Sequence, residues 1–492
     1  MAKRPHYQLW IDGTWCEGAE GQVMASQNPA TGQDWASFAC AAPADVDRAV
    51  AAARRALGDP AWRDLSATGR GKLLYRLADL IAEHAQEIGR IETVDSGKLL
   101  AETASQTAYV ADYYRYYAGL ADKIEGAVLP IDKPDMQVFT RPEPIGVVAA
   151  IVPWNAQMFL TATKLGPALA AGCAVVLKAS EVAPAPMLEF ARLIEAAGFP
   201  PGVMSVITGD AEGCAIPLTR HPDVDRIAFT GGPETARHVV RNSAENFAVT
   251  TLELGGKSPI LVFEDADLDS AANGLIAGNF GASGQSCVAG SRGLVQRSVL
   301  AEITERITAR MADVVLGDPL DPATHLGPLA TPAQIAGIKD ALAQARAQGA
   351  EVVFGGAALD RPGNYMAPTL LKTEDPASET LKVEMFGPVL TLMPFDTEAE
   401  AIALANDSDF GLGSGLFTRD VARAHRVSAR LKAGICWVNT YRAVSPIAPF
   451  GGFGQSGYGR EAGMEAIRDY TRTKTVWINT SEAPMANPFV MR

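Results

Sequence analysis

From residue 145 onward the chain alternates short apolar runs with amphipathic stretches. The run 146–152 is followed by a turn at Pro153-Trp154-Asn155 and then by helical spacing to residue 171. The same unit returns with strands at 174–177, 204–207 and 225–229, followed by helical segments at 185–197, 213–220 and 234–242. A strand that reads as an uninterrupted apolar run is covered on both faces, and helices between such strands make the sheet parallel. The pattern predicts a doubly wound, Rossmann-like α/β domain. A second α/β series, with strands near 260–263, 293–295, 352–354, 389–392 and 435–438, predicts a second domain of similar size and a cleft between the two.

Upstream, residues 45–57 have helical spacing with acidic residues in the first turn, where the helix dipole favours them, and a second helix is expected at about 71–88. Between about 124 and 138 the pattern breaks into β-like pieces punctuated by Gly126, Pro130 and Pro134, which reads as a hairpin leaving the main body. Residues 475–479 read as an edge strand for a partner sheet.

Composition narrows the function. The 492 residues suffice for several full cores, and 48% hydrophobic with 20% charged residues excludes a disordered or fibrous chain. A net charge of −13 disfavours a nucleic-acid backbone reader, so no nucleic-acid partner is expected. The six cysteines include no C-x-x-C pair, which argues against a disulfide framework and a zinc site. The basic start leads into Tyr7-Gln-Leu-Trp-Ile-Asp rather than an apolar secretory segment, and no apolar run reaches the ~18 residues of a membrane span. The expectation is a cytoplasmic protein with no metal and no membrane partner.

Ligands of open parallel sheets sit beyond the carboxyl ends of the strands, which directs attention to four segments. These are Pro153-Trp154-Asn155, Lys178-x-x-Glu181, Thr230-Gly231-Gly232 and Leu252-Glu253-Leu254-Gly255-Gly256. The Gly231-Gly232 turn lets backbone approach a ligand, and the following helix offers unpaired N–H groups to a phosphate; alone, it is equally a plain tight turn. Glu181 at a strand end suits the two hydroxyls of a ribose and repels a 2′-phosphate, which favours NAD while leaving NADP open. The literal G-x-G-x-x-G at 452–457 follows a loop rather than a strand and reads as a decoy.

Cys287, in Gly284-Gln-Ser-Cys287-Val-Ala-Gly-Ser-Arg292, is the candidate nucleophile. It sits among small and polar residues with Arg292 nearby, surroundings expected to lower a thiol pKa. The Asn155 amide suits an oxyanion donor and Glu253 a base for water. None of the six histidines adjoins these motifs, so a Cys-His hydrolase has no support.

Taken together and in order, these motifs, with Glu384-x-Phe386-Gly-Pro388, Pro449-Phe450-Gly-Gly452 and Ser456-Gly-x-Gly-Arg-Glu461, resemble the aldehyde dehydrogenases over nearly the whole chain. The resemblance implies NAD(P)-dependent oxidation of an aldehyde to a carboxylic acid. Cys287 attacks the aldehyde, Asn155 and the Cys287 N–H hold the oxyanion, hydride passes to the nicotinamide, and Glu253 activates water against the thioester. The cofactor is expected against Ile151, Val152, Pro153 and Trp154, with Lys178 and Glu181 on the adenine ribose. Gly231 and Gly232, with Phe229, Gly213 and Leu254, complete that side, and Glu384 with Phe386 takes the nicotinamide ribose. The implied organisation is a dinucleotide-binding domain (1–122 and 145–256), a catalytic domain (257–456) and oligomerisation segments (123–144 and 470–492), giving a homodimer or homotetramer.

Departures from the family pattern are Gly232 for Ser, Ala282 for Asn, Val383 for Glu and Gly454 for Lys. None replaces the nucleophile, the base or the oxyanion donor. Ala156, Phe159 and Thr163 stand where many acetaldehyde-type relatives have bulkier or aromatic groups, and with Phe450 they predict a wide tunnel for an aromatic or long-chain hydrophobic aldehyde. Arg442, at its mouth, suits the carboxylate of a semialdehyde or is a solvated loop charge. Acyl transfer to coenzyme A is the rival chemistry, disfavoured by a base for water at Glu253; a silent scaffold is the rival class, disfavoured by the intact Cys287, Glu253 and Asn155.

Overall fold

The computed structural model describes residues 4–485 and 487–490; the ends of the expected 1–122 and 470–492 segments, at 1–3, 486 and 491–492, lie outside the described residues. An eight-stranded sheet has at its centre the parallel strands Val249–Glu253, Arg226–Thr230, Val147–Ile151, Ala174–Ala179 and Met204–Thr208, in that spatial order. Every residue of the last four of these strands is buried, because helices cover both faces. The chain runs outward from Val147–Ile151 in both directions, so the order reverses between that strand and Arg226–Thr230. A crevice opens at such a reversal, beyond the strands' carboxyl ends.

Two antiparallel edges were not expected. Leu9–Ile11 pairs with Met204–Thr208 on one side, and Gly457–Tyr458 pairs with Leu252 and Glu253 on the other. The G-x-G-x-x-G stretch is therefore a turn between two short strands, Phe453–Gly454 pairing with Phe410–Gly411 and Gly457–Tyr458 with the large sheet, rather than a strand-to-helix turn.

The second sheet has seven strands, in the order Glu351–Phe354, Thr369–Lys372, Val389–Phe395, Arg292–Gln296, Pro259–Val262, Gly413–Phe417 and Ile435–Val438. All its pairings are parallel except that of Glu351–Phe354. Thr369–Lys372 and Gly413–Phe417 were absent from the sequence pattern; the latter carries only two large apolar side chains.

The expected helix at 71–88 is two helices, Ala67–Glu83 and Ala85–Ser96, broken at His84. Helix Leu100–Leu120, with no counterpart in the pattern, buries threonines and tyrosines as well as aliphatic groups. Helix Gln157–Ala171 is buried along all fifteen residues and stops at Gly172, whose φ of 95° supplies the left-handed cap. The hairpin lies at Val128–Leu129 and Met136–Pro144. The C-terminal strand is longer than expected, Thr471–Asn479, and pairs within the chain against Met136–Pro144 over nine residues. No described helix is long and apolar enough to cross a membrane.

Candidate active site

The loops at the reversal converge on a cleft of about 220 Å³. Pro153, Trp154 and Asn155 come from the turn after Val147–Ile151, Thr230, Gly231 and Gly232 from the end of the neighbouring strand, and Glu253, Leu254 and Gly255 from the next. The second sheet's side contributes Cys287, Glu384 and Phe386. Segments separated by more than two hundred residues thus meet around one space.

A side chain at two glycines on this wall would displace a neighbouring side chain. A Cβ at Gly231 would stand 2.5 Å from the Phe229 ring, and one at Gly255 would stand 2.0 Å from Glu384 Oε2. At Gly232 an added Cβ would meet nothing within 4 Å, and this residue caps helix Pro233–Ser243 without a side-chain hydrogen bond. That is a cradle suited to a pyrophosphate. Trp154 and Phe386 close the wall edge to face, ring centres 5.5 Å apart, Phe386 being left-handed at φ 49°.

Lys178 lies inside strand Ala174–Ala179 rather than in the loop beyond it, and its Nζ is 2.7 Å from Glu181 Oε2. Burial pulls the Glu181 carboxyl upward, but Lys178 outweighs it and holds the group below the usual range. Val152 donates its N–H to the Lys178 carbonyl at 3.2 Å, and Ile151 ends its strand beneath the turn. Gly213 is differently placed. Its N–H is spent on Asp210 Oδ1 at 2.7 Å, within a one-turn element, Ala211–Ala215, so it has no free donor for a phosphate.

Glu253 ends its strand rather than sitting in a loop, is 2% exposed, and neither carboxylate oxygen has a hydrogen-bond partner. Burial pushes its carboxyl well above the usual range; Glu461 adds to this, while Lys164 and Arg460 oppose it. The Lys164 ammonium contacts Glu461 and donates to Thr230 Oγ1 at 2.6 Å, and Thr163 Oγ1 donates to Glu461 Oε2 at 2.6 Å. Thr163 therefore faces this buried ion pair, and Leu160 takes its expected place on the cleft wall. Lys164 escaped the sequence reading, although a lone lysine in the apolar run Met158-Phe-Leu-Thr-Ala-Thr-Lys164-Leu is itself a signal.

Cys287 is partly exposed and packs against the cluster that holds Phe159, Val288, Trp437 and Phe450, with Ala156 also at its edge. The expected lowering of its thiol pKa is reversed. Burial, with Glu384 and Glu253, pushes the thiol up to about 12, against a smaller opposing effect of Arg442. Arg292 does not serve it. Its guanidinium donates to the carbonyls of Lys257, Leu404 and Ala405, at 2.8 to 2.9 Å. Arg442 is left-handed at φ 64°, donates to the Ala277 carbonyl at 3.3 Å, and has no acidic partner among the described residues.

The profile of the aldehyde dehydrogenase family matches residues 15–476. The chain belongs to the aldehyde dehydrogenase family. It is 54% identical over 487 residues, 99% of each chain, to the (Z)-2-((N-methylformamido)methylene)-5-hydroxybutyrolactone dehydrogenase of Acinetobacter baylyi. Among solved structures, betaine aldehyde dehydrogenase from Staphylococcus aureus in complex with NAD+ superposes with a TM-score of 0.96 at 36% identity, covering 99% of this chain and 97% of that one. PnpE from Pseudomonas sp. WBC-3, solved in complex with nicotinamide adenine dinucleotide, gives 0.95 at 42% identity, with 98% and 99% covered. This family member thus has the two-sheet α/β fold that its motifs implied.

Proposed function

We propose that this aldehyde dehydrogenase uses NAD, with Cys287 as nucleophile, Asn155 as oxyanion donor and Glu253 as base. The observation that carries the reading is the single cleft holding these three side chains together with Glu384 and the Gly231-Gly232 cradle. NAD, when bound, accepts the hydride. The cradle suits its pyrophosphate, the Lys178–Glu181 pair its adenine ribose and Glu384 its nicotinamide ribose. Cys287 Sγ attacks the carbonyl carbon as its proton passes to solvent. The Asn155 amide and the Cys287 N–H stabilise the oxygen's developing charge. After oxidation the acyl group stays on Cys287 as a thioester, and Glu253 takes a proton from the water that cleaves it.

Two substrate readings rest on separate observations. The apolar cluster of Phe159 and Phe450 around Cys287 favours an aromatic or long-chain aldehyde. Arg442, which has no acidic partner among the described residues, favours a carboxylate-bearing semialdehyde. A 5-hydroxylactone, the type of compound named for the Acinetobacter relative, is the ring-closed form of such an aldehyde acid. The second reading is therefore the stronger. The three-stranded sheet around Met136–Pro144 is proposed as the surface for assembly into a dimer or tetramer, and the cytoplasm as the location.

The test is NADH formation with hexanal, benzaldehyde and succinate semialdehyde, with NAD and NADP in turn. Preference for the semialdehyde, lost in Arg442→Ala through a higher KM, supports the anchor. Preference for the apolar aldehydes overturns it in favour of the tunnel, and no turnover with any substrate overturns the catalytic assignment.

A further inference from the structure

The backbone just ahead of Cys287 adopts a conformation that L-residues avoid. Ala282, Ser283 and Gly284 are consecutively left-handed, with φ of 53°, 55° and 77°. At Gly284 only glycine fits, because a Cβ would stand 2.1 Å from the Gly387 carbonyl oxygen. Ala282 and Ser283 have no such exemption, so this turn is strained and persists only where its surroundings over-determine it.

Three side chains hold it. Ser283 Oγ donates to the Gly327 carbonyl at 3.0 Å, and Gln285 Oε1 accepts from the Ala330 N–H at 2.8 Å and from Gln334 Nε2 at 3.1 Å. The third is Glu102, in the first turn of helix Leu100–Leu120, whose Oε1 accepts the Ala282 N–H at 2.8 Å. The other carboxylate oxygen of Glu102 is buried without a partner, and the residue joins no ion pair among the described residues. A side chain needed only to fill this space would be apolar, since a buried unpartnered carboxylate oxygen is costly. At the far end of the turn, Gln285 carries the carbonyl to which Asn155 Nδ2 donates at 3.1 Å. Any shift of the turn moves Cys287 and Asn155 relative to each other.

We propose that Glu102 is a positioning residue for Cys287, fixing the left-handed turn that sets the thiol and the Cys287 N–H against Asn155. This rests on the reading of Cys287 as nucleophile. Glu102 acts through Ala282 and touches neither substrate nor cofactor.

Glu102→Leu removes the acceptor, Glu102→Gln keeps one, and Ala282→Gly removes the strain that the acceptor opposes. For each full-length variant the readouts are kcat, KM for NAD, and the rate at which iodoacetamide alkylates Cys287. A misplaced nucleophile lowers kcat by about 10- to 100-fold. In Glu102→Leu we expect that loss with KM for NAD unchanged and the alkylation rate altered. Glu102→Gln restores most of both, and Ala282→Gly added to Glu102→Leu restores part. Wild-type kcat and alkylation in Glu102→Leu, or equal impairment in Glu102→Gln, overturns the proposal. Should Glu102→Leu not fold, Glu102→Asp, which withdraws the carboxylate by one methylene, is read in the same way. Cys287→Ala is run beside them; retained dehydrogenase activity there overturns the nucleophile assignment itself, whatever the Glu102 variants do.

Discussion

Asn155 Nδ2 donates to the carbonyl oxygen of Gln285 at 3.1 Å, two residues ahead of the thiol it is proposed to serve. One amide hydrogen is thereby fixed on backbone, which orients the other. Asn155→Ala removes both, and loss of one oxyanion donor costs about 10²- to 10³-fold in kcat. KM for NAD should be nearly unchanged, which steady-state kinetics at saturating aldehyde will check. Equal losses in kcat and NAD affinity would instead make Asn155 a cofactor residue.

Glu253 has two unpartnered oxygens and a carboxyl held well above its usual range, chiefly by burial. The carboxylate needed for thioester hydrolysis therefore becomes more abundant as pH rises, so kcat should climb through neutral and into alkaline pH when hydrolysis limits turnover. Glu253→Gln should form NADH in the first turnover and then stall with the acyl group on Cys287. Stopped-flow absorbance sees the burst, and intact mass sees the adduct. A variant with no first-turnover NADH would place Glu253 earlier in the reaction.

Glu181 is kept ionised by Lys178 at 2.7 Å, so a 2′-phosphate on the adenine ribose meets a negative charge. Glu181→Ser should raise kcat/KM for NADP while lowering it for NAD, which loses its ribose acceptor. Parallel changes for both cofactors would mean that Glu181 does not reach the ribose.

Lys257 is 2% exposed, its Nζ has no partner, and burial, with Arg292, pushes it down to about 7. The folded chain thus binds its proton less tightly than the unfolded chain does. This destabilisation is absent above the ordinary lysine range near pH 10.4, grows as pH falls, and levels off below about 7. Lys257→Met should therefore raise Tm more at pH 7 than at pH 10. A pH-independent difference would show that the amine is satisfied.

Much of the fold was legible because the central strands are apolar throughout and their helices are one-sided; helix Ala185–Ala197 lies where its spacing put it. Helix Leu100–Leu120 was not legible, since threonines and tyrosines share its buried face. Thr163 was misplaced for the opposite reason. When all fifteen residues of a helix are buried, spacing cannot tell a tunnel wall from an ion-pair pocket. Arg292 misled because nearness in sequence is not nearness in space: it opens a strand, and its guanidinium is taken up by three carbonyls away from the thiol. Glu102 belongs to no motif, and only the fold brings it to Ala282.

The pairing of Thr471–Asn479 with Met136–Pro144, and of Gly457–Tyr458 with Leu252 and Glu253, carries a consequence for biosynthesis. Both sheets wait for strands made long after their partners, and Lys164 waits for Glu461. A chain still on the ribosome with 440 residues outside already has its thiol and its glycine cradle, but holds a buried lysine without its counter-charge and two sheet edges without cover. Such unpaired edges are the surfaces through which incomplete chains aggregate. The surroundings of Glu253 are thus completed only when the segment around Gly457–Glu461 has left the ribosome.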